Sequence, residues 1–389
     1  MNAMEKALAA LKQDEQIQTF LKLAKIHAVG GDEILLAREY EQILKGMGFS
    51  VQYDKAGEAF NGNCGNLIAY WEGTDPLAEP IFLSGHLDTI MTTKDLHPVI
   101  RDGAIYSDGT TILGADDRSA LAAYIDAIKA IQDTNMPCGP IELIITVNEQ
   151  HGLLGAQNLD LSLVRSRNGV VFDESKGDVG YILRRGGFRS SIDIVFCMPQ
   201  GSAAGHIAND PINPNAFVMG TEAFRRMNLG NLDNGDTVAL IGVMEGGEFA
   251  SVIPGTLHMS GQVRSYRREL LDQQLALMEK VSQEEAEKCG GSAEVNIQHG
   301  YQGYEISSED PLYQVCRGAI SHLGLPYTEG QTLGGADTNY LRMLGLNCIT
   351  MGNGQREIHS FNEHISVENL INIARLSIAI IANWYQSKR

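Results

Sequence analysis

A chain of 389 residues exceeds what one ordinary hydrophobic core holds, so two domains are expected. Hydrophobic residues at 43% and charged residues at 20% give an ordinary soluble balance with no low-complexity tract. A formal net charge of −18 repels nucleic acid and anionic membrane, which excludes neither enzyme nor binding protein but disfavours both of those partners. The N-terminal "MNAMEKALAALKQDEQ" carries acids early and lacks an apolar h-region, so it does not read as a secretory signal. Residues 17–48 read as helices, the segment "REYEQILKGMG" ending in a Gly suited to the position just past a helix. "NLIAYWEG" (66–73) and "PIFLSGHLDT" (80–89) follow as strands. After "LGADD" a helix is predicted from Leu121, Tyr124, Ile125, Ile128 and Ile131, spaced three and four apart. "IELIITV" (141–147) and "GVVFD" (169–173) are the next strands, and the alternation predicts an α/β fold with a mostly parallel sheet flanked by helices.

The pattern changes near "ILRRGGFRSSIDIVFC". To about residue 300 it reads strand, helix, two strands, a long helix and the strand "AEVNIQ", a self-contained α+β unit. Helix-and-strand alternation then resumes to the C-terminal "ENLINIARLSIAIIANWYQ". The expected organisation is a discontinuous α/β domain, 1–182 and 303–389, interrupted by a smaller domain, 183–302. Apolar runs such as "LSIAIIANW" (376–384) are too short to span a membrane. Cys64, Cys138, Cys197, Cys289, Cys316 and Cys348 are scattered without paired spacing, which suits reduced thiols in a cytoplasmic protein.

Polar residues at or just past the ends of apolar segments are the candidates for chemistry. They are His86, Asp116, Glu149 with Gln150, Asp173 and His359. Ligands collect outside the carboxyl ends of strands in open α/β sheets, and imidazoles with carboxylates can hold a divalent metal there. Taken singly, a strand-end Asp is more often a turn or cap, and His27, His97, His299 and His322 read as surface or core residues. The joint placement shifts the balance. In His-x-Asp, Asp88 is expected to accept the other ring N–H of His86 and orient it.

The segments "SGHLDT", "SDGTTILGADDRSALAA", "NEQHGLLGA", "VVFDES" and "GNGQREIHSFNEHISVENL" resemble, in order, the motifs of the co-catalytic zinc peptidases that include peptidase T and carboxypeptidase G. "DGTTILGADDRSA" is most similar to the peptidase T-like branch. The resemblance implies that His86 and Asp173 bind one zinc, that Asp116 bridges two, and that His359 binds the second. It implies Glu149 as general base, with Asp88 completing the catalytic set. Two ions about 3.5–4 Å apart would then activate a shared water and polarise the scissile carbonyl. Gln150 stands where the family has a second Glu, a neutral oxygen in place of an anionic one, so the second ion is expected to bind weakly. Substitution of that ligand by His151 ranks last, since neighbouring strand positions aim apart.

In the inserted segment, which the family uses as a lid or dimerisation domain, "GSAAGHIANDPINPNAF" resembles the lid motif and makes His206 the candidate oxyanion contact. "GQVRSY" places Arg264 where the family grips a substrate carboxylate, a role balanced evenly against that of a surface strand arginine. "LGGADTNYL" gives Asp337 as either a substrate-amine contact or, slightly favoured, a loop cap. The expected activity is zinc-dependent, aminopeptidase- or tripeptidase-like hydrolysis of short peptides, with a homodimer through the inserted domain. The alternatives are an N-acyl amino acid deacylase on the same fold, and a catalytically impaired metal- or peptide-binding relative in which Gln150 spoils the site.

Overall fold

The structure, a computed structural model, describes residues 1–199 and 203–388. It divides into two compact units. The first comprises Met1–Arg184, Glu305–Gln331 and Ala336–Arg389, and the second Arg185–Tyr304 with Thr332–Gly335.

The first unit is built on a mixed sheet whose centre runs Ile141–Thr146, Ile81–His86, Asn168–Glu174 and Asn347–Gly352, each parallel to the next. Every residue of the first two of these strands is buried, as expected of parallel strands covered on both faces. The register pairs His86 with Thr146 and Glu174 with Gly352, so the carboxyl ends of the central strands finish along one edge. The parallel arrangement read from the sequence describes this centre. The flanks run the other way: Leu67–Trp71 is antiparallel to Ile141–Thr146, and Tyr181–Gly186 is antiparallel to Asn347–Gly352. Apolar strand content reports burial and carries no sign of direction, which is why the flanks were not separable from the centre.

Helix Ala115–Asp133 is buried along almost its whole length and packs against the C-terminal helix Val367–Ser387. The latter starts where the Ser366 hydroxyl accepts from the Asn369 amide at 3.0 Å, an N-cap that satisfies one otherwise unpaired donor. The region expected to be helical over 17–48 forms two helices, Gln13–Ala24 and Ile34–Gly46, parted by a Gly30–Gly31 turn. Gly48 takes φ +83° just beyond the second, the left-handed conformation that ends helices. A separate four-stranded antiparallel sheet orders Gln355–Arg356, His364–Ser366, Ala104–Tyr106 and Val99–Arg101.

The second unit is α+β. Its five-stranded antiparallel sheet runs Gly230–Leu232, Thr237–Gly246, Thr256–Ser265, Phe188–Cys197 and Ser292–His299. Alternate residues of the long strands face inward, and Ile192, Ile194, Phe196 and Met259 meet Met219 of helix Ala216–Arg226 and Leu275 and Met278 of helix Arg268–Lys288. Thr332–Gly335 belongs to this unit although it lies outside 183–302, because the Gly187 amide donates to the Thr332 carbonyl at 2.9 Å.

Candidate metal centre and catalytic site

His86 is the last residue of its strand and is almost fully buried. Its Nδ1 donates to the backbone carbonyl of Asp88 at 2.8 Å, while the Asp88 carboxylate stands 3.4 Å away. Both the carbonyl and the carboxylate of Asp88 thus face the ring, the carbonyl being the nearer acceptor. The Asp88 carboxylate oxygens also take the backbone amides of Glu149, at 2.9 Å, and Gln150, at 3.1 Å. Asp88 therefore orients two elements at once, His86 through its main chain and the end of the neighbouring strand through its side chain.

With Nδ1 committed as donor to that carbonyl, Nε2 of His86 faces a crowd of acids. Asp116 Oδ1 lies at 3.1 Å, Asp173 Oδ1 at 3.9 Å and Glu149 Oε2 at 4.0 Å. On the far side, Asp116 Oδ2 faces His359 Nε2 at 3.2 Å and the Gln150 amide nitrogen at 2.9 Å. Asp116 thus stands between the two imidazoles, as a carboxylate bridging two positions would. Its residue sits at the head of helix Ala115–Asp133 but is itself extended, with φ −83° and ψ 103°. The Asp116–Asp117 peptide is cis.

His359 does not follow directly from strand Asn347–Gly352. It lies in the loop between Gln355–Arg356 and His364–Ser366, with φ +63°. Gln150 turns its amide toward Asp116, whereas His151 bonds Asn148 Oδ1 at 3.2 Å and packs against Gly30. Asp337 does not cap its helix: Ala336 holds the cap position, and the buried Asp337 carboxylate accepts from the Thr146 hydroxyl through Oδ2. Its other oxygen has no hydrogen-bond partner among the described residues.

The electrostatics follow from burial. Burial pushes Glu149 well above the usual carboxylate range, and Asp173, Asp337 and Asp116 add to this against the pull of His86. Asp173 and Asp117 are raised in the same way, first by burial. Asp116 is the exception, since its two imidazole partners overcome burial and hold it below the usual range. Burial would lower His86, but the surrounding carboxylates raise it, and the hydrogen bond to Asp116 raises His359.

These residues fit a divalent cation. One oxygen or nitrogen from each of His86, Asp117 and Asp173 falls within 4.8 Å of the others, and Asp117 Oδ2 is buried with no hydrogen-bond partner among the described residues. An unpaired buried carboxylate oxygen among other acids is costly unless a cation or proton joins them. Asp117 was not anticipated from the sequence, where two adjacent acids look alike and only the backbone decides where each points. Glu363 and Gln355 were also missed.

In the second unit, the Arg264 guanidinium bonds Gln262 Oε1 at 3.1 and 3.3 Å and the Leu333 carbonyl at 3.1 Å. His206 ends the short strand Ala203–His206, and its Nδ1 accepts from the Ala208 amide at 3.2 Å. Gly201 and Ser202, which open the segment quoted for His206, lie outside the described residues.

Acids and imidazoles gathered at the carboxyl edge of an α/β sheet can hold a divalent cation. The chain belongs to the peptidase family M20/M25/M40, whose profile matches residues 82–383. It is 30% identical over 369 residues to YqjE of Bacillus subtilis (strain 168), spanning 94% of this chain and 97% of that protein. Among solved structures it is similar to the aminopeptidase PepT from Bacillus cereus ATCC 10987, with TM-score 0.88, 29% identity, and coverage of 96% of this chain and 99% of that one. It is likewise similar to a tripeptidase from Staphylococcus aureus subsp. aureus Mu50, with TM-score 0.90, 28% identity, and coverage of 97% and 99%. The protein is a peptidase hydrolase with a mixed α/β fold.

Proposed function

We propose that the chain is a zinc-dependent aminopeptidase that acts on short peptides, tripeptidase-like, with its catalytic centre at His86, Asp116, Asp173 and His359. The observation that carries this is Glu149: a buried carboxylate, amide-pinned by Asp88, within 4.0 Å of the His86 nitrogen that faces Asp116 and Asp173. A zinc ion supplies the Lewis acid that polarises the scissile carbonyl and acidifies a water. His86 and Asp173 would hold the first ion, with Asp117 beside them, His359 would hold the second, and Asp116 would be shared. Glu149 takes the water's proton and delivers it to the leaving amine, a carrier role for which a carboxyl raised by burial is suited.

Gln150 supports a weakened second position. Its side chain reaches Asp116 Oδ2 as a neutral donor, the atom that would otherwise be shared with a second cation. That contact equally favours the reading of a catalytically impaired relative, and turnover separates the two. Asp337, with one carboxylate oxygen unpartnered among the described residues, is the proposed contact for the substrate amine. Arg264 and His206 are carried forward as the proposed grips on a peptide carboxylate and on the oxyanion. A homodimer through the inserted unit is supported by strand Thr237–Gly246, where Gly230–Leu232 pairs only with Thr237–Ala239. Beyond that point Leu240, Val243 and Met244 are exposed, as are Phe217 and Phe224 of the helix. The six free cysteines support a reducing, cytoplasmic setting.

The test is hydrolysis of a tripeptide panel beside an N-acetyl amino acid panel, with and without chelation. Zinc-dependent release of N-terminal residues is expected. Turnover confined to the N-acyl substrates replaces the reading with a deacylase, and none on either panel replaces it with a binding protein.

A further inference from the structure

The loop 353–363 carries two buried side chains that the proposed chemistry does not use, and both close on the turn bearing Asp116. The Glu363 carboxylate is almost wholly buried and accepts from the backbone amides of Gly114, at 2.7 Å, and Asp116, at 3.0 Å, one on each oxygen. Gln355 is equally buried, and its amide donates to the Ala115 carbonyl at 2.8 Å and the Ser119 hydroxyl at 3.2 Å. Between them they hold the main chain from Gly114 to the Asp116 amide, and Gln355 adds a contact to the Ser119 side chain beyond it. The grip matters because the turn is not self-supporting. Gly114 takes φ +73°, and Asp116 and Asp117 lack helical dihedrals, so the helix's own hydrogen bonds do not fix that carboxylate.

We infer that Glu363, assisted by Gln355, is a positioning residue for the metal centre: it locks the Asp116 turn to the loop that carries His359. The inference rests on the metal reading of Asp116 and His359 given above. Glu363 follows His359 by four residues, so one loop supplies an imidazole to Asp116 and a clamp to the main chain beneath it. A carboxylate suits the task because each of its oxygens accepts one amide. A carboxamide has one oxygen and would turn an N–H toward a second N–H.

The test uses Glu363→Gln in the full chain. A matched control comes from the central sheet of the same unit: Glu142, fully buried, accepts from the Arg165 and Ser166 amides, at 3.1 and 2.7 Å. It lies near the start of strand Ile141–Thr146, on the order of 13 Å from the edge where the centre sits. E142Q thus makes the same lesion away from the metals. Parent, E363Q and E142Q are titrated with zinc alone by calorimetry, and kcat and KM are measured at saturating zinc. E363Q is expected to bind zinc about tenfold or more weakly and to lose kcat with KM little changed, while E142Q binds zinc as the parent does. Gln355→Ala carries the same comparison if E363Q does not fold. Zinc uptake by E363Q within twofold of the parent, or an equal loss in E142Q, overturns the clamp alone. No zinc uptake by the parent overturns the reading of the centre and the clamp with it.

Discussion

Replacing Gln150 with Glu changes charge at the proposed second metal position while hardly changing shape. The Gln150 amide nitrogen lies 2.9 Å from Asp116 Oδ2, so a carboxylate there would set two anionic oxygens at about that spacing. At an effective dielectric of about 20, unit charges near 3 Å interact by roughly 5 kcal/mol. Without metal that term is repulsive, and Q150E should unfold at a lower temperature than the parent in chelator. A dication between the oxygens doubles the attraction and reverses the sign, leaving a surplus of about 5 kcal/mol before the new charge is desolvated. Desolvation consumes much of that, so the expected gain is about 2–3 kcal/mol, or roughly a hundredfold in second-site affinity. Zinc titration by calorimetry, with tripeptide turnover at each point, reads it directly. A second-step Kd within twofold of the parent, together with an unchanged apo melting temperature, refutes the argument that Gln150 weakens this position.

Glu149→Gln should lower kcat by about 10²–10⁴ with zinc content retained, because a proton carrier is not a ligand; metal analysis showing most zinc lost would instead make Glu149 a ligand. His86→Ala and Asp173→Ala should each reduce bound zinc directly, and full stoichiometry in both would remove them from the ligand set. Asp126 offers a test away from the site. Burial pushes it up to about 6 despite a 2.9 Å bond from the Thr19 hydroxyl, so the folded chain holds a proton the unfolded chain releases between about pH 4 and 6. Stability therefore falls as pH rises through that window, by at most about 3 kcal/mol, and Asp126→Asn should flatten this slope in urea titrations at pH 4.5 and 7.5. An identical slope in the variant would show that Asp126 does not titrate in the folded state.

Much of the candidate site's placement in the fold was legible because the central strands are apolar runs that end in a polar residue. His86, Glu149 and Asp173 each break such a run, and parallel packing brings those ends to one edge. Asp116 was legible from the Gly-Ala-Asp-Asp stretch before a helix-periodic segment. Other features left no local trace. The carbonyl of Asp88 is the nearer acceptor for His86, and backbone groups carry no residue code. His359 depends on a left-handed residue in a hairpin of a separate sheet. Glu363 reads in sequence as one more acid in a polar loop, and only the fold shows it buried against two amides. The second unit announced itself through a change in strand and helix alternation, but Thr332–Gly335 joins it through a tertiary hydrogen bond that no neighbouring residue foretells.

If the centre takes up a divalent cation as proposed, the crowding of Asp117 and Asp173 beside one imidazole would make loading an acid-releasing event. Burial raises the Asp117 and Asp173 carboxyls above their usual range, and an incoming dication would compete with the protons they hold. Apparent affinity for zinc should accordingly climb with pH over the range in which those groups still hold protons, and the heat of binding should vary with the ionisation enthalpy of the buffer. The protein then takes up its ion most readily as its surroundings grow more alkaline, and mild acid should strip the ion from the centre before it unfolds the sheet beneath.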